Sequence, residues 1–237
     1  MSRRFLWLCS GLLAYILGGM APIPAHAAEP AKGTQPETTI VSDALHLKKG
    51  GQETLFKGNA LLKQLEQWIK ADEITRYRLT GIAEAHGHVR GTWFSPQGEK
   101  IIGTGDQARY VPLTQTTDLW SRKGPATLTR WETVRDTAPV VMQALHFTAK
   151  QQENVMLAHD QVVINQAPRF QGQSEEARYN RTEGTLDMWG KKQVFIHLND
   201  GKGSGDFHSD KAWMLLTPRK ARLTGNVTGH VIPSNAL

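Results

Sequence analysis

The sequence predicts an all-β protein built as one elongated stack of short antiparallel repeats, and three observations carry that prediction. The segment Ser42-Asp43-Ala44-Leu45-His46-Leu47 returns one hundred residues later as Gln143-Ala144-Leu145-His146-Phe147. A small or aliphatic residue follows an acidic or polar pair at Ala44, Ile74, Ala108, Ala144, Ala177 and Ala212, with spacings of 30, 34, 36, 33 and 35 residues. Each of these anchors is followed by a turn-like pair: Gly58-Asn59, Gly87-His88, Gly124-Pro125, His159-Asp160, Gly190-Lys191 and Gly225-Asn226. Glycine supplies the positive φ of tight turns between antiparallel strands, so the pairs are expected to punctuate strands. A near-constant period of this size marks units that bury their apolar faces only against their neighbours.

The chain opens with an address. Arg3 and Arg4 precede an apolar run from Phe5 to Met20, followed by Pro22, Pro24 and Ala25-His26-Ala27. The run is shorter than the roughly 20 residues of a membrane-spanning helix and ends at a small-x-small site, which predicts a secretory signal peptide over 1–27, cleaved after Ala27. Cys9 is the one cysteine and lies inside that run. The mature chain then has no thiol, which excludes disulfides, thiolate metal sites and thiol catalysis. Residues 28–37, with Pro30 and Pro36, read as a flexible lead-in, and residues 38–233 as a single β domain.

Within that domain the segments are short and alternating, as in Gln67 to Ala71 and Thr127 to Trp131, the pattern of half-buried strands. Asn59 to Tyr77 carries an approximate helical stripe of Leu61, Leu62, Leu65, Ile69 and Ile74, but the equivalent stretches of the other repeats are strand-like, so strand is assigned there too. The stretches Tyr110 to Arg122 and Val134 to Val140 are expected to be loops. The formal charge of +6 falls by two with Arg3 and Arg4, leaving a mildly basic mature chain suited to acidic or phosphorylated partners. Export and the lack of a basic run argue against nucleic acid as a partner.

Signatures of catalysis are missing: the sequence has no Gly-x-Ser-x-Gly, His-Glu-x-x-His, P-loop or Rossmann fingerprint. Gly201 to Gly205 is glycine-rich but precedes no helix and reads as a hairpin loop. His86 and His88 share one face with few other ligands for a metal. The acid pairs Asp72-Glu73 and Glu175-Glu176 recur at one repeat position, which favours a structural role at a turn or rim over a glycosidase acid and base. Trp68, Trp93, Trp120, Trp131, Trp189 and Trp213 are expected to fill the core in the first instance. No enzyme activity, cofactor or metal is expected.

Three segments, Thr39 to Leu45 (TIVSDAL), Phe56 to Ala60 (FKGNA) and Ile69 to Ile74 (IKADEI), resemble in this order the opening of the LptA/OstA family of lipopolysaccharide-transport proteins. Leu223 to Val227 (LTGNV) resembles that family's turn near the end. The resemblance implies an OstA-like β-jellyroll, slightly open along one side, whose apolar interior receives the acyl chains of lipid A. It further implies a periplasmic protein without enzymatic activity that joins head to tail with copies of itself. Its other partners would be the inner- and outer-membrane components of lipopolysaccharide transport. Family contacts to the lipid correspond by local match to Ile40 and Trp93, while Thr38 stands where another aliphatic residue can occur. With them, Leu62, Ile69, Ile102 and Phe195 are expected to face inward and form the slot, with Lys and Arg at its rim meeting lipid A phosphates. Each buried CH₂ contributes roughly 0.8 kcal/mol, so a partial sheath suffices for binding. Competing readings are an inner-membrane-anchored (LptC-like) relative, a secreted β-solenoid glycan-active enzyme, and a structural surface protein.

Overall fold

The computed structural model describes residues 38–94, 99–131, 138–201, 203–216 and 219–233. The signal segment 1–27, the lead-in 28–37 and most of the expected loop before Val140 lie outside the described residues. Sixteen strands form one continuous sheet: β1 (Thr38–Val41), β2 (Ala44–Lys48), β3 (Glu53–Gln64), β4 (Gln67–Tyr77), β5 (Ala83–Phe94), β6 (Lys100–Val111), β7 (Thr116–Trp120), β8 (Ala126–Trp131), β9 (Val140–Ala144), β10 (His146–Lys150), β11 (Val155–Gln166), β12 (Phe170–Asn180), β13 (Thr185–Asn199), β14 (Gly203–Leu216), β15 (Arg219–Thr224) and β16 (Thr228–Pro233). Every pairing is antiparallel. The helical stripe of Asn59 to Tyr77 is overridden by the sheet: both of its halves are strand, joined at Leu65 and Glu66.

Four of the long strands change partners on one side at their middle. The first half of β3 pairs with β2 and its second half with β1; β6 divides in the same way between β8 and β7, β11 between β10 and β9, and β14 between β16 and β15. The sheet is therefore folded along its length into two facing layers, an all-β antiparallel jellyroll of stacked bent strands. The pairs β1–β2, β7–β8, β9–β10 and β15–β16 are bent strands interrupted at the fold line. Counting them so, the jellyroll is twelve bent strands long, or roughly 50 Å at the usual strand spacing.

The fold line is where the turn-like pairs lie, and this corrects their reading as turns between strands. Gly58-Asn59, Gly87-His88, His159-Asp160 and Gly190-Lys191 sit inside β3, β5, β11 and β13 at breaks in register, while Gly124-Pro125 and Gly225-Asn226 sit between the halves of interrupted strands. The hairpin connections are elsewhere, as at 112–115, 151–154 and 181–184. A bulge and a turn both use a residue at positive φ, so composition alone does not separate them. The strand β7 also falls inside the stretch expected to be a loop between Tyr110 and Arg122.

The acid of each repeat explains the period. Asp72 lies over Gly87, whose φ is +74°, so closely that a Cβ there would sit 2.1 Å from Asp72 Oδ2; Asp43 and Asp210 stand in the same relation to Gly58 and Gly225. Asp43 N–H donates to the Gly58 carbonyl at 3.0 Å, and Asp210 N–H to that of Gly225 at 2.9 Å. At the third corner the Asp106 carboxylate accepts from Ser121 Oγ (2.9 Å) and from the backbone N–H of Arg122 (2.7 Å) and Lys123 (3.1 Å). Those bonds, with that of Arg122 foremost, hold its carboxyl below the usual range. Glu175 accepts from the backbone N–H of Lys191. Acid and bulge thus brace one another across adjacent strands at each of these bends.

Small residues line the inside of the bend, because the two layers converge there. Ala60, Ala71, Val89, Ala126, Ala144, Val162, Val194 and Ser209 are all buried. One step outward, cross-strand register aligns Leu45, Phe56, Ile74, Ala85, Ala108, Leu119, Phe147, Ala158, Ala177, Met188, Ala212 and Leu223 in a single apolar row across the first layer. The tryptophans do not fill this core. Trp93 packs against it, but Trp68, Trp120, Trp131, Trp189 and Trp213 occupy outward positions of their strands and are half-buried. A wedge this narrow near its apex accepts Ala, Val and Ile, and the broad indoles cover the outer face instead, as where Lys100 Nζ lies 5.8 Å from the Trp131 ring.

Candidate functional site

The inner face of the folded sheet is the candidate site, and register shows which expected residues share it. Across the second layer one inner row runs Ile40, Leu62, Ile69, Gly91, Gly103, Leu128, Met142, Ile164, Gly172, Ile196, Phe207 and Gly229. Ile40, Leu62 and Ile69 are therefore consecutive neighbours. Trp93 is inward too, with its ring carbons 3.6 Å from the Cβ position of Gly91 and 2.9 Å from that of Gly103. The glycines let the indole lie flat across two strands.

Ile102 and Phe195 are corrections. Ile102 opposes Thr92 and Thr129 on the outer face, while its neighbour Ile101 is buried. Phe195 opposes Gln173 and His208, with its ring 5.3 Å from that of His208, and Ile196 takes the inward place. Neither side chain contributes to the interior.

Along the middle of the jellyroll the protein fills its own interior. Trp93 covers Gly91 and Gly103, Phe170 and Met188 converge on Gly172, and Phe207 covers Gly205 and Gly229. At the ends this filling stops. Inner positions of the first strands are open to water, with Ile40 at 41%, Leu45 at 57% and Leu47 at 66% exposure, and Val231 in the last strand is at 63%. The inner apolar rows thus emerge into solvent at both ends of the stack.

Opposite the fold line the layers are tied by a polar contact with no signal in the sequence, since its partners are 49 residues apart. Arg130 Nη1 in the second layer donates to Tyr179 Oη in the first at 3.1 Å, and the guanidinium lies 5.5 Å from the Tyr179 ring centre. Glu99 pairs with the same guanidinium. Elsewhere in the first layer Tyr110 is fully buried between Ala83 and Thr117, and its hydroxyl has no hydrogen-bond partner among the described residues. Burial pushes its pKa up to about 12. A tyrosine whose folded pKa is raised contributes stability below about pH 10 that is lost as pH rises towards 12. Tyr110→Phe is expected to leave neutral-pH stability unchanged or raise it by about 1 kcal/mol and to remove that alkaline loss, as read from unfolding midpoints between pH 8 and 12.

The groups singled out for chemistry are occupied structurally. His88 Nδ1 is 2.8 Å from Asp72 Oδ2, Glu73 pairs with Lys57 at 3.2 Å and Glu176 with His159 at 2.6 Å. His86 lies 4.0 Å from Glu84. No three His, Cys, Asp or Glu side chains gather to hold a metal among the described residues. Nor is any helix among them long and apolar enough to cross a membrane.

Residues 39–137 match the family described as LptA/(LptD N-terminal domain) LPS transport protein. Among solved structures the chain is similar to LptH, described as the LptA homologous periplasmic component of the conserved lipopolysaccharide transport device from Pseudomonas aeruginosa. Identity is 12% and TM-score 0.29, over 61% of this chain and 76% of that one. No curated protein matches the chain. Over residues 39–137 the chain is thus LptA/OstA-like in sequence.

Proposed function

We propose that this LptA/OstA-like chain carries lipopolysaccharide through the periplasm, sheltering lipid A acyl chains against the inner face of its folded sheet. The observation that carries the reading is the pair of apolar rows that run through the stack and surface at its ends, with Ile40, Leu45 and Leu47 at one end and Val231 at the other. Exposed apolar patches of this kind mark interaction sites on soluble proteins. Ile40 makes the first contact, Leu62 and Ile69 continue the same row inward, and Trp93 forms the wall beside them. Lys and Arg at the rim meet the phosphates of the headgroup.

A carrier that works by hand-over needs no reactive side chain, because it only hides hydrocarbon from water and releases it to the next station. At roughly 0.8 kcal/mol per CH₂, covering six methylenes contributes about 5 kcal/mol, enough to hold a chain and weak enough to let it go. Residues 1–27 export the protein and are removed, 28–37 form a lead-in, and 38–233 act as one domain. Its partners are the inner- and outer-membrane transport components and other copies of itself, joined head to tail into a bridge.

The test is capture of lipopolysaccharide by the purified protein. Ile40→Asp places a carboxylate at an exposed inner position, where it costs the fold less than about 0.5 kcal/mol but sets an unpaired charge against the acyl chains. Capture is expected to fall about ten-fold or more with the unfolding midpoint unchanged. Wild-type protein that captures no lipopolysaccharide contradicts the reading.

A further inference from the structure

The two outer faces of the folded sheet differ in a way that sheltering lipid on the inner face does not explain. On the second layer, register sets Thr104, Thr127, Gln143, Val163 and Gln173 in one outward row and Ile102, Thr129, Val141, Asn165 and Gln171 in the next, across β6, β8, β9, β11 and β12. None of these ten positions carries a charge. Solvent-facing surfaces hold roughly 25–35% charged side chains, so about three of the ten are expected. The neutral block ends at Arg90 of β5, opposite Thr104, and at His197 of β13, opposite Gln171.

The same bent strands supply the comparison on the first layer. Their outward positions there include Arg109, Asp118, Glu176 and Arg178, with His146 and His159 between them. Those groups are spent on one another. Asp118 accepts from Thr148 Oγ1 at 2.7 Å and lies 3.0 Å from His146 Nε2, Glu176 lies 2.6 Å from His159 Nδ1, and Trp120 Nε1 donates to Gln107. In the neutral block the three threonines, the three glutamines and Asn165 make no side-chain hydrogen bond among the described residues. One face satisfies its own polar groups, and the other keeps seven of them, all uncharged, for something else.

We propose that this outer face of the second layer binds uncharged sugar, and that its occupant is the polysaccharide chain of the lipopolysaccharide whose acyl chains the inner face shelters. The source of the sugar rests on the transport reading; the chemistry of the face does not. Sugar hydroxyls both donate and accept, as do Thr hydroxyls and Gln and Asn amides. Covering a face without charge strips no ion of its water. The β-branched Thr, Val and Ile of the block are stiff, so ordering them costs little. Phe195 opposes Gln173 at one corner, and Trp131 stands two residues beyond Thr129 on the same face, towards the open side. Their rings can lie against the C–H faces of sugars. A protein partner asks for an apolar, aromatic or Arg centre with a polar rim; here the polar groups hold the centre and the aromatics the margin. A sugar chain that leaves the headgroup at the open side, opposite the fold line, meets the Trp131 end of this face first.

The probe is lipid-free polysaccharide with an uncharged repeat, released from a smooth lipopolysaccharide and titrated into isotope-labelled protein. The side-chain amide signals of Gln143, Asn165, Gln171 and Gln173 are expected to shift, and that of Gln107 on the first layer to stay. Asn165 and Gln173 are exposed, so Asn165→Ala with Gln173→Ala is expected to leave the unfolding midpoint in place and to weaken binding about ten-fold, while Arg178→Gln leaves binding unchanged. No shift at about 1 mM polysaccharide, equal shifts on both layers, or full binding by the double variant overturns the proposal. Signals of the block that broaden with protein concentration alone would give the face to a second copy and overturn it equally. Lipid A, which lacks the sugar chain, reads the inner face separately: lipid A captured without polysaccharide refutes the sugar site alone, and polysaccharide bound without capture of lipid A refutes the transport reading, and with it the source of the sugar, but not the site.

Discussion

Gly87→Ala is expected to destabilise the protein by about 2–4 kcal/mol, a large share of the stability of any single domain. Two costs combine. A non-glycine residue at φ +74° costs about 1–2 kcal/mol. The new Cβ also meets Asp72 Oδ2 at 2.1 Å, Cγ at 2.7 Å and Cβ at 2.9 Å, so the whole acid side chain, not only its flexible end, must move; overpacking of this kind adds about 1–3 kcal/mol. Moving Asp72 breaks its contact with His88 and loosens the bend. Combining Gly87→Ala with Asp72→Ala removes the clash but not the backbone cost, so the double variant is expected to recover part of the loss. Urea unfolding midpoints of the three variants measure both parts. A double variant less stable than Gly87→Ala would show that the acid contributes more by bracing the corner than it costs in contact.

The second large effect is positional along one row. Ile74 and Leu45 occupy the same inner row, yet Ile74 is 1% exposed and Leu45 is 57% exposed at the edge. Ile74→Ala removes a side chain packed between Phe56 and Ala85 and is expected to cost about 2–5 kcal/mol. Leu45→Ala is expected to cost under about 0.5 kcal/mol. The contrast separates a residue that holds the core from one at the edge of the stack, and thermal unfolding of the same two variants checks it.

The fold was legible because the repeat reflects a physical constraint. Asp43, Asp72 and Asp106, and again Glu175 and Asp210, follow one another about one repeat apart since each meets a bend of the neighbouring strand, and strands of similar length separate one meeting from the next. What those glycines do is not legible in composition, because a bulge inside a strand and a turn between strands demand the same φ. Internal duplication was visible only as the echo of Ala44-Leu45-His46 in Ala144-Leu145-His146, and the structure displaces that echo by two residues: Leu45 corresponds to Phe147.

Strand parity explains the rest of the site. In β3, Phe56 and Leu62 both face inward across the bend, and Leu62 and Ile69 pair as consecutive inner neighbours. In β6 the bend is made by a single residue, Asp106, opposite Gly87 and His88 of β5, and this inverts the alternation: Ala108 and Tyr110 face inward on one side, Ile101 and Gly103 on the other. Ile102 has the parity of Ala108 and is outward for that reason alone. Phe195 fails differently, because Val194, Phe195 and Ile196 are all apolar and alternation gives no choice among them. The Arg130–Tyr179 contact joins two layers that only the folded sheet brings together, so no local pattern announces it.

The central claim is that lipid A acyl chains lie against the inner face and not the outer one. The most direct measurement places photo-crosslinking side chains one at a time at the adjacent pairs Ile40 and Val41, and Trp93 and Thr92, whose members point to opposite faces. The protein bearing each probe is exposed to lipopolysaccharide and irradiated. Adducts at positions 40 and 93 with few at 41 and 92 are predicted. Equal labelling of both members of each pair, or labelling confined to the outward positions, would contradict the account.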